Sequence, residues 1–267
     1  MGDSLSAYAD LFHYRELFGN LFRRDLQAKY RGSALGVLWT VANPLMLMGV
    51  YLLVFGVVWK ARFTNGGHYA LFLLSGLALW SFFGAALQSS TRSMLDNANL
   101  IRKTRFPRQL VPLSVVAAHL VSFAAMLLLV LILNFVALGR VRATEWLAIP
   151  LAALCVCFVA GLSLAAASLN VVFRDVEFIV AAALVPLFFL TPILYPLSTL
   201  AHHHHVIEVI HWANPLSPAV EAVRAPLFLG HMPFWGDALY LVVASVLSLA
   251  LGAFVFSRVD DQIAIEV

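Results

Sequence analysis

The sequence predicts an all-α, polytopic membrane protein. It has six transmembrane helices, an N-terminal amphipathic interface helix, and short re-entrant or interfacial helices between spans five and six. Three observations carry this. The chain runs from Gly32 to Trp59 without a charge, and at about 1.5 Å per helical residue that run is long enough to cross a hydrocarbon core of roughly 30 Å. Hydrophobic residues make up 62% of the 267 residues and charged residues 12%, a balance foreign to soluble domains. The basic residues also alternate between loops in the manner of the positive-inside rule.

Taken in order, residues 10–30 place Leu11, Tyr14, Phe18, Leu21, Phe22 and Leu26 on one helical stripe, with Arg15, Arg23, Arg24 and Lys29 mostly off it. A basic amphipathic helix directly before a first span is expected to lie in the membrane interface; packing on another cytoplasmic surface is the alternative. The spans are expected at 35–59, 69–89, 110–138, 146–169, 178–200 and 238–256. They follow a cytoplasmic segment at 1–34 and precede a cytoplasmic tail at 258–267. Trp39 and Trp59 suit the two headgroup levels of the first span. With both termini cytoplasmic, twelve of the 17 basic residues fall inside. Lys60, Arg62, Arg140, Arg142 and Arg224 fall outside. No cleavable leader is expected, because the first long apolar run starts late and exceeds a signal h-region.

Two loops stand out. The cytoplasmic loop from Ser90 to Pro112 carries five basic residues; Asp96 is placed to cap a short helix, and Phe106-Pro107 to end it. Its spacing alone fits a docking surface and a retention signal equally. The loop from Asn170 to Glu177 holds the charged turn Arg174-Asp175. Seven prolines between Pro186 and Trp235 break the chain where it is still apolar. Such backbone is tolerated at membrane depth only where protein or a water-filled cavity satisfies it, so short helices near a conduit are expected there, with an ordinary external loop as the alternative.

The chemistry that is missing narrows the function. The expected spans contain no Asp, Glu, Lys or Arg, which argues against proton or ion coupling. There is no G-x-x-x-x-G-K-[ST] loop, so no ATP site of that kind lies in this chain. A net charge of +3 is too small to suggest a nucleic-acid partner. Cys155 and Cys157 lie in an apolar run and read as small core side chains. His202–His205 have no acidic or cysteine neighbour except Glu208 and read as a solvated loop; no metal site is expected. His119, inside the third span, is expected to pack through hydrogen bonds. A transporter with this inventory would borrow its energy from another subunit.

Six ordered stretches carry a resemblance: RRDLQAKYRGSALGVLWTVANPLMLM, LFLLSGLALWSFF, NANLIRKTRFPRQLVPLS, LNVVFRDVEF, LTPILYPLS and NPLSPAVEAVRAPL. Together they resemble the ABC-2 type permeases that export polysaccharides, most of all the O-antigen exporter permeases, with capsule and teichoic acid permeases as relatives. The His202–His205 run is not part of that pattern. The resemblance implies a multi-pass bacterial inner-membrane permease without an ATP site of its own. It further implies a homodimer, two cytoplasmic P-loop ATPase subunits that hold ATP and Mg, membrane lipid around it, and a polyprenol-linked polysaccharide as cargo. Carried onto this chain, Asn97, Leu100, Ile101, Arg102, Lys103, Arg105, Phe106 and Arg108 would form the ATPase-coupling loop.

Arg23, Arg24, Lys29, Tyr30 and Arg31 would sit at the cytoplasmic entrance, where cations suit an anionic head group; positive-inside retention explains the same cluster equally. A sugar conduit needs aromatic faces and few charges. Tyr51, Phe55 and Trp59, four residues apart on one helix face, with Phe188, Phe189 and Tyr195, are the candidates, against ordinary aromatic packing. The rival readings are an ABC-2 permease for a small drug or lipid and a non-transporting membrane scaffold.

Overall fold

The structure is a computed structural model that describes residues 14–33, 36–54, 69–104, 106–139, 141–197 and 204–266. The description below concerns those residues, and among them the regular structure is helical throughout. Helix α1 spans Arg15–Tyr30. A 3₁₀ turn at Gly36–Leu38 leads into α2, Trp39–Tyr51. The long helix α3 (Tyr69–Asp96) is followed by the short α4 (Ala98–Lys103) and the long α5 (Leu110–Leu138). A 3₁₀ turn at Glu145–Leu147 opens α6, Ala148–Val172. Then come α7 (Val176–Leu190), α8 (His204–Ala213) and α9 (Leu216–Arg224). A π-helical turn at Ala225–Leu229 precedes α10, Trp235–Glu266.

Four helices are long and apolar enough to cross a bilayer: Tyr69–Asp96, Leu110–Ala137, Glu145–Val172 and Trp235–Asp260. They overlap expected spans two, three, four and six, and the first of them runs on through Ser90 to Asp96, a stretch expected as cytoplasmic loop. The first expected span is represented by the apolar stretch Val41–Val54; the rest of it, with Phe55 and Trp59, lies outside the described residues. The fifth differs from expectation. The helix stops at Leu190, not near Leu200, and Thr191 turns to extended backbone. Pro192 cannot continue the ladder, and Pro196 follows four residues later. The resulting 15-residue helix is about 22 Å long, shorter than a hydrocarbon core.

Helix α3 lies at the centre: 72% of its most apolar window is buried, against 22% for α5. Its face from Leu79 through Leu87 packs with Phe123 of α5, Phe158 of α6 and Val220 of α9 in one core. The rings of Phe82 and Phe123 stack with centroids 4.7 Å apart, a contact geometry that adds to simple burial. Helix α6 and helix α10 share the most intimate pairing. A Cβ at Gly161 would run into the backbone of Ser248 and Leu249, and one at Gly252 would strike the Gly161 carbonyl. Small residues thus let the two backbones touch. Ser245 Oγ donates to Leu154 O at 2.8 Å and Ser248 Oγ to Phe158 O at 2.7 Å, tying the same seam. By contrast α7 buries none of its residues. Phe178, Ile179 and Val185 are each more than 60% exposed, so this apolar helix lies on the surface of the single chain.

Polar side chains pin both ends of the bundle. At the end where α3 runs out, Arg92 pairs with Glu177 at 3.2 Å, and Arg108 Nη1 donates to Asp260 Oδ1 at 2.9 Å. At the opposite end, buried Asn134 donates to Glu145 Oε1 at 2.8 Å and to Leu227 O at 2.7 Å. Thr144 Oγ1 donates to Pro226 O at 3.1 Å. Asn134 of α5 and Thr144 of the segment before α6 thereby satisfy open carbonyls of the π turn.

Candidate functional site

The expected coupling segment divides into an inward and an outward half. Asn97 is the turn residue between α3 and α4, and its Nδ2 donates to Ser93 O at 2.8 Å. Asp96 does not cap α4 as expected. It is the last residue of α3 and accepts from Arg92 Nε at 3.1 Å, four residues back on the same helix. Ile101 is buried with Met94, Val111 and Phe256, and Phe106 packs against that cluster. Leu100 is half-buried, whereas Arg102 and Lys103 are exposed. Arg108 is held by both the carbonyl and the carboxylate of Asp260, which makes it a strut. Arg105 lies outside the described residues.

The entrance cluster also divides. Arg23, Arg24 and Arg31 are exposed, and Arg24 is engaged by Asp25 at 2.7 Å. Asp25 Oδ2 in turn accepts from Ser114 Oγ of α5 at 2.7 Å. Lys29 Nζ donates to Ser122 Oγ at 2.7 Å and to His119 Nδ1 at 3.2 Å. With an ammonium donating to Nδ1, the imidazole proton sits on Nε2, which faces Ser89 Oγ of α3 at 3.2 Å. Tyr30 Oη lies 3.1 Å from Ser122 Oγ. Partial removal from water pushes the Lys29 ammonium down to about 8.

These contacts form one wall of a cavity of about 630 Å³ between α1, α2, α3 and α5. Lys29, Tyr30, Ser33, Asn43, His119 and Ser122 supply polar groups; Trp39, Pro44, Leu47, Phe82, Phe123 and Met126 supply apolar ones. Only Lys29 and Tyr30 of the five expected entrance residues line it. His119 is expected from sequence as a packing residue, and the structure gives it hydrogen bonds on both ring nitrogens. Ser122 carries no motif, but it lies three residues after His119 and hence on the same helix face.

The aromatic candidates converge. Tyr51 of α2 stacks on Phe188 of α7 with centroids 6.0 Å apart, and Phe188 meets Phe189 at 5.3 Å. Tyr195 Oη donates to Phe189 O at 3.0 Å. Trp80 of α3 joins this group, 5.3 Å from Phe188, although sequence reasoning did not select it. Its spacing was a signal: Trp80 follows Tyr69 by eleven residues, about three helical turns. Phe189 keeps 60% of its surface exposed, so the cluster has an open face.

Arg224, expected in an external loop, is 1% exposed. Its Nη1 donates to Glu221 Oε1 at 2.9 Å and Pro192 O at 2.8 Å, and its guanidinium lies 3.8 Å above the Phe72 ring. Gly76 makes room: a Cβ there would come within 2.5 Å of Arg224 Nη2. Of the histidine run, His202 and His203 lie outside the described residues. His204 and His205 open α8 instead of continuing a loop as expected, and His205 is exposed, 4.0 Å from Glu208. Among the described residues no group of three metal-ligating side chains occurs.

A bundle of long apolar helices with a basic corner after the first long helix and an interrupted apolar segment before the last suits a membrane permease, and the chain belongs to the ABC-2 type transporter family, whose model matches residues 16–228. Among curated proteins, it is 33% identical to the O-antigen export system permease protein RfbA of Myxococcus xanthus, over 96% of each chain. It is 30% identical to the RfbA permease of Klebsiella pneumoniae over 98% of each. A more distant relative is the polysialic acid transport protein KpsM of Escherichia coli, 22% identical over 90% of this chain and 92% of that one.

Proposed function

We propose that this chain is the membrane permease subunit of an ATP-driven exporter that moves lipid-linked polysaccharide, O-antigen first among the candidates, across the bacterial inner membrane. The observation that carries the reading is end-to-end similarity to permeases named for O-antigen export. A capsular polysaccharide is the second candidate, favoured by the KpsM relationship.

In this reading α2 and α7, each extended by its flanking residues, complete a six-span chain with both termini cytoplasmic. Residues 1–34 form the interface segment, 35–257 the transmembrane domain and 258–267 the tail. Two copies enclose the path. Two P-loop ATPase subunits bind ATP and Mg and dock on the corner between Asn97 and Arg108. The buried Ile101 and the half-buried Phe106 packed beside it make that corner a rigid lever, and the exposed Arg102 and Lys103, with Arg105, meet the partner. At the entrance formed by Arg23, Arg24, Lys29, Tyr30 and Arg31, the four cations together steer the anionic carrier head by long-range attraction, which needs no contact with any one of them. Tyr51, Phe188, Phe189 and Tyr195, with Phe55 and Trp59, give the sugar chain faces to slide on. Uncharged rings suit sliding because no fixed charge holds the polymer in one register.

The test is co-purification with a candidate ATPase subunit, followed by ATP hydrolysis and glycan export in proteoliposomes. A complex of two chains and two ATPases that exports lipid-linked glycan is the expected result. Reversing Arg102, Lys103 and Arg105 to Glu leaves hydrolysis but abolishes export; wild-type export in that variant removes the docking assignment. ATPase activity stimulated by small hydrophobic compounds and indifferent to glycan would replace the cargo assignment with a drug or lipid. Absence of any ATPase partner would leave a scaffold.

A further inference from the structure

The cavity between α1, α2, α3 and α5 has a charge inventory that selects a ligand different from the exported cargo. Among the described residues that line it, Lys29 is the only lysine, arginine or carboxylate. Both partners of its ammonium, Ser122 Oγ and His119 Nδ1, are neutral acceptors. The three arginines of the same cluster stay outside, and Arg24 is already compensated by Asp25. The site therefore offers one uncompensated positive charge. Neutral groups on Tyr30, Ser33, Asn43 and Ser122 surround that charge, and an apolar compartment continues from it. Lys29 itself is exposed at the cavity's edge, so a ligand can reach it.

We propose that this cavity holds one anionic phospholipid of the surrounding bilayer, its phosphodiester on Lys29 and Ser122 and part of an acyl chain against Trp39, Leu47, Phe82 and Met126. Charge matching decides the head group. A phosphodiester carries a single negative charge and meets the single ammonium among the lining residues, whereas a diphosphate carries at least two and would find no second cation there. The open side of the cavity continues onto apolar surface: Trp39 is 43% exposed, and Met46 and Leu47 about half exposed. Entry is therefore lateral, as a bilayer lipid requires. Tryptophan at such an edge suits the headgroup level. The bound lipid would wedge the amphipathic α1 against α3 and α5, adding to the Asp25–Ser114 contact.

The full chain is exchanged into nanodiscs of equal parts phosphatidylglycerol and phosphatidylcholine and released for native mass spectrometry. One phosphatidylglycerol retained per chain is expected, with little phosphatidylcholine. A charge-assisted hydrogen bond to phosphate is strong enough that Lys29→Gln lowers this retention about tenfold, while Lys29→Arg preserves it. Ala85→Trp fills the cavity from an exposed position and expels the lipid with Lys29 intact, which decides the matter even where Lys29→Gln does not fold. Equal retention of both lipids, unchanged in Lys29→Gln and Ala85→Trp, overturns the proposal. So does displacement of phosphatidylglycerol by polyprenyl diphosphate at equal concentration, which would assign the cavity to the cargo's carrier. The experiment involves no transport, so its outcome is separate from that of the export assay.

Discussion

At the scale of single residues, two cations behave differently from their surface neighbours: Arg224 is fully buried, and Lys29, exposed at the cavity's edge, is partly shielded from water. Lys29 loses its proton near pH 8, and a bound monoanion favours the ammonium form. Anionic lipid is therefore retained fully below that value and released as pH rises through it. The groups facing Lys29 are Tyr30 on its own helix and His119 on α5, with Arg24, Asp25 and, from α3, Asp96 across the adjoining polar pocket. Lys29→Arg, whose guanidinium stays charged, abolishes the pH dependence; retention measured from pH 7 to 9 checks this.

Arg224 is the second cation. Cutting it to Ala strands Glu221 and the Pro192 carbonyl, and losing one member of a buried pair costs about 3–5 kcal/mol. Thermal unfolding in detergent should show a large drop for Arg224→Ala. Because a methyl at Gly76 meets Arg224 Nη2, Gly76→Ala should show a smaller drop. Sequence could not reveal Arg224. It counts as one more loop arginine until the turn at Thr191–Tyr195 brings Pro192 beneath it. Lys29 was legible as part of a basic cluster, but which cluster members turn inward depends on how α1 rolls against α5.

At the scale of elements, long apolar runs were readable because length and hydropathy suffice for them. The expected third span matches α5 residue for residue at 110–138. The fifth span was misjudged because an apolar run does not say whether its prolines kink a helix or end it. Pro186 is accommodated inside α7, while Pro192 lies beyond its end. What lay beyond pattern reading altogether is the α6–α10 seam, since Gly161, Gly252, Ser245 and Ser248 acquire meaning only as a facing pair. Gly161→Leu forces the two backbones apart and is expected to cost about 1–3 kcal/mol or more, as overpacking does. The check is a lowered melting temperature together with loss of an engineered cross-link between α6 and α10. Ser248→Ala, which removes one hydrogen bond from the same seam, costs about 1 kcal/mol.

At the scale of the whole molecule, the chain is polarised between a tightly netted interior and unsatisfied apolar flanks. Arg92–Glu177 ties α3 to α7, and Arg108–Asp260 ties the segment before α5 to α10, so in the proposed docking a push on the corner between Asn97 and Arg108 would be passed to several helices at once. In the proposed docking Arg108 would transmit and Arg102 would contact the ATPase, so the two kinds of substitution should separate. Arg108→Glu lowers the yield of folded protein, whereas Arg102→Glu leaves yield unchanged and lowers export in the assembled transporter. Measuring size-exclusion recovery beside export distinguishes them. The exposed surface of α7 was legible as hydrophobicity but not as exposure. Which face of an apolar helix meets protein and which meets lipid or a second copy leaves no mark in a run where every residue is apolar.

The α6–α10 seam has a consequence in time. Ninety-one residues separate Gly161 from Gly252, and at about 5–20 residues per second the ribosome needs roughly 5–20 s to make them. During that interval the groove of α6 that will receive α10 exists without its occupant. Among the described residues this close helix–helix approach is thus also one of the latest to form, and a nascent chain stalled before Trp235 presents an open, small-residue groove to whatever helix drifts past. Membrane chaperones and quality-control proteases have a defined window, and a defined surface, on which to recognise an unfinished copy.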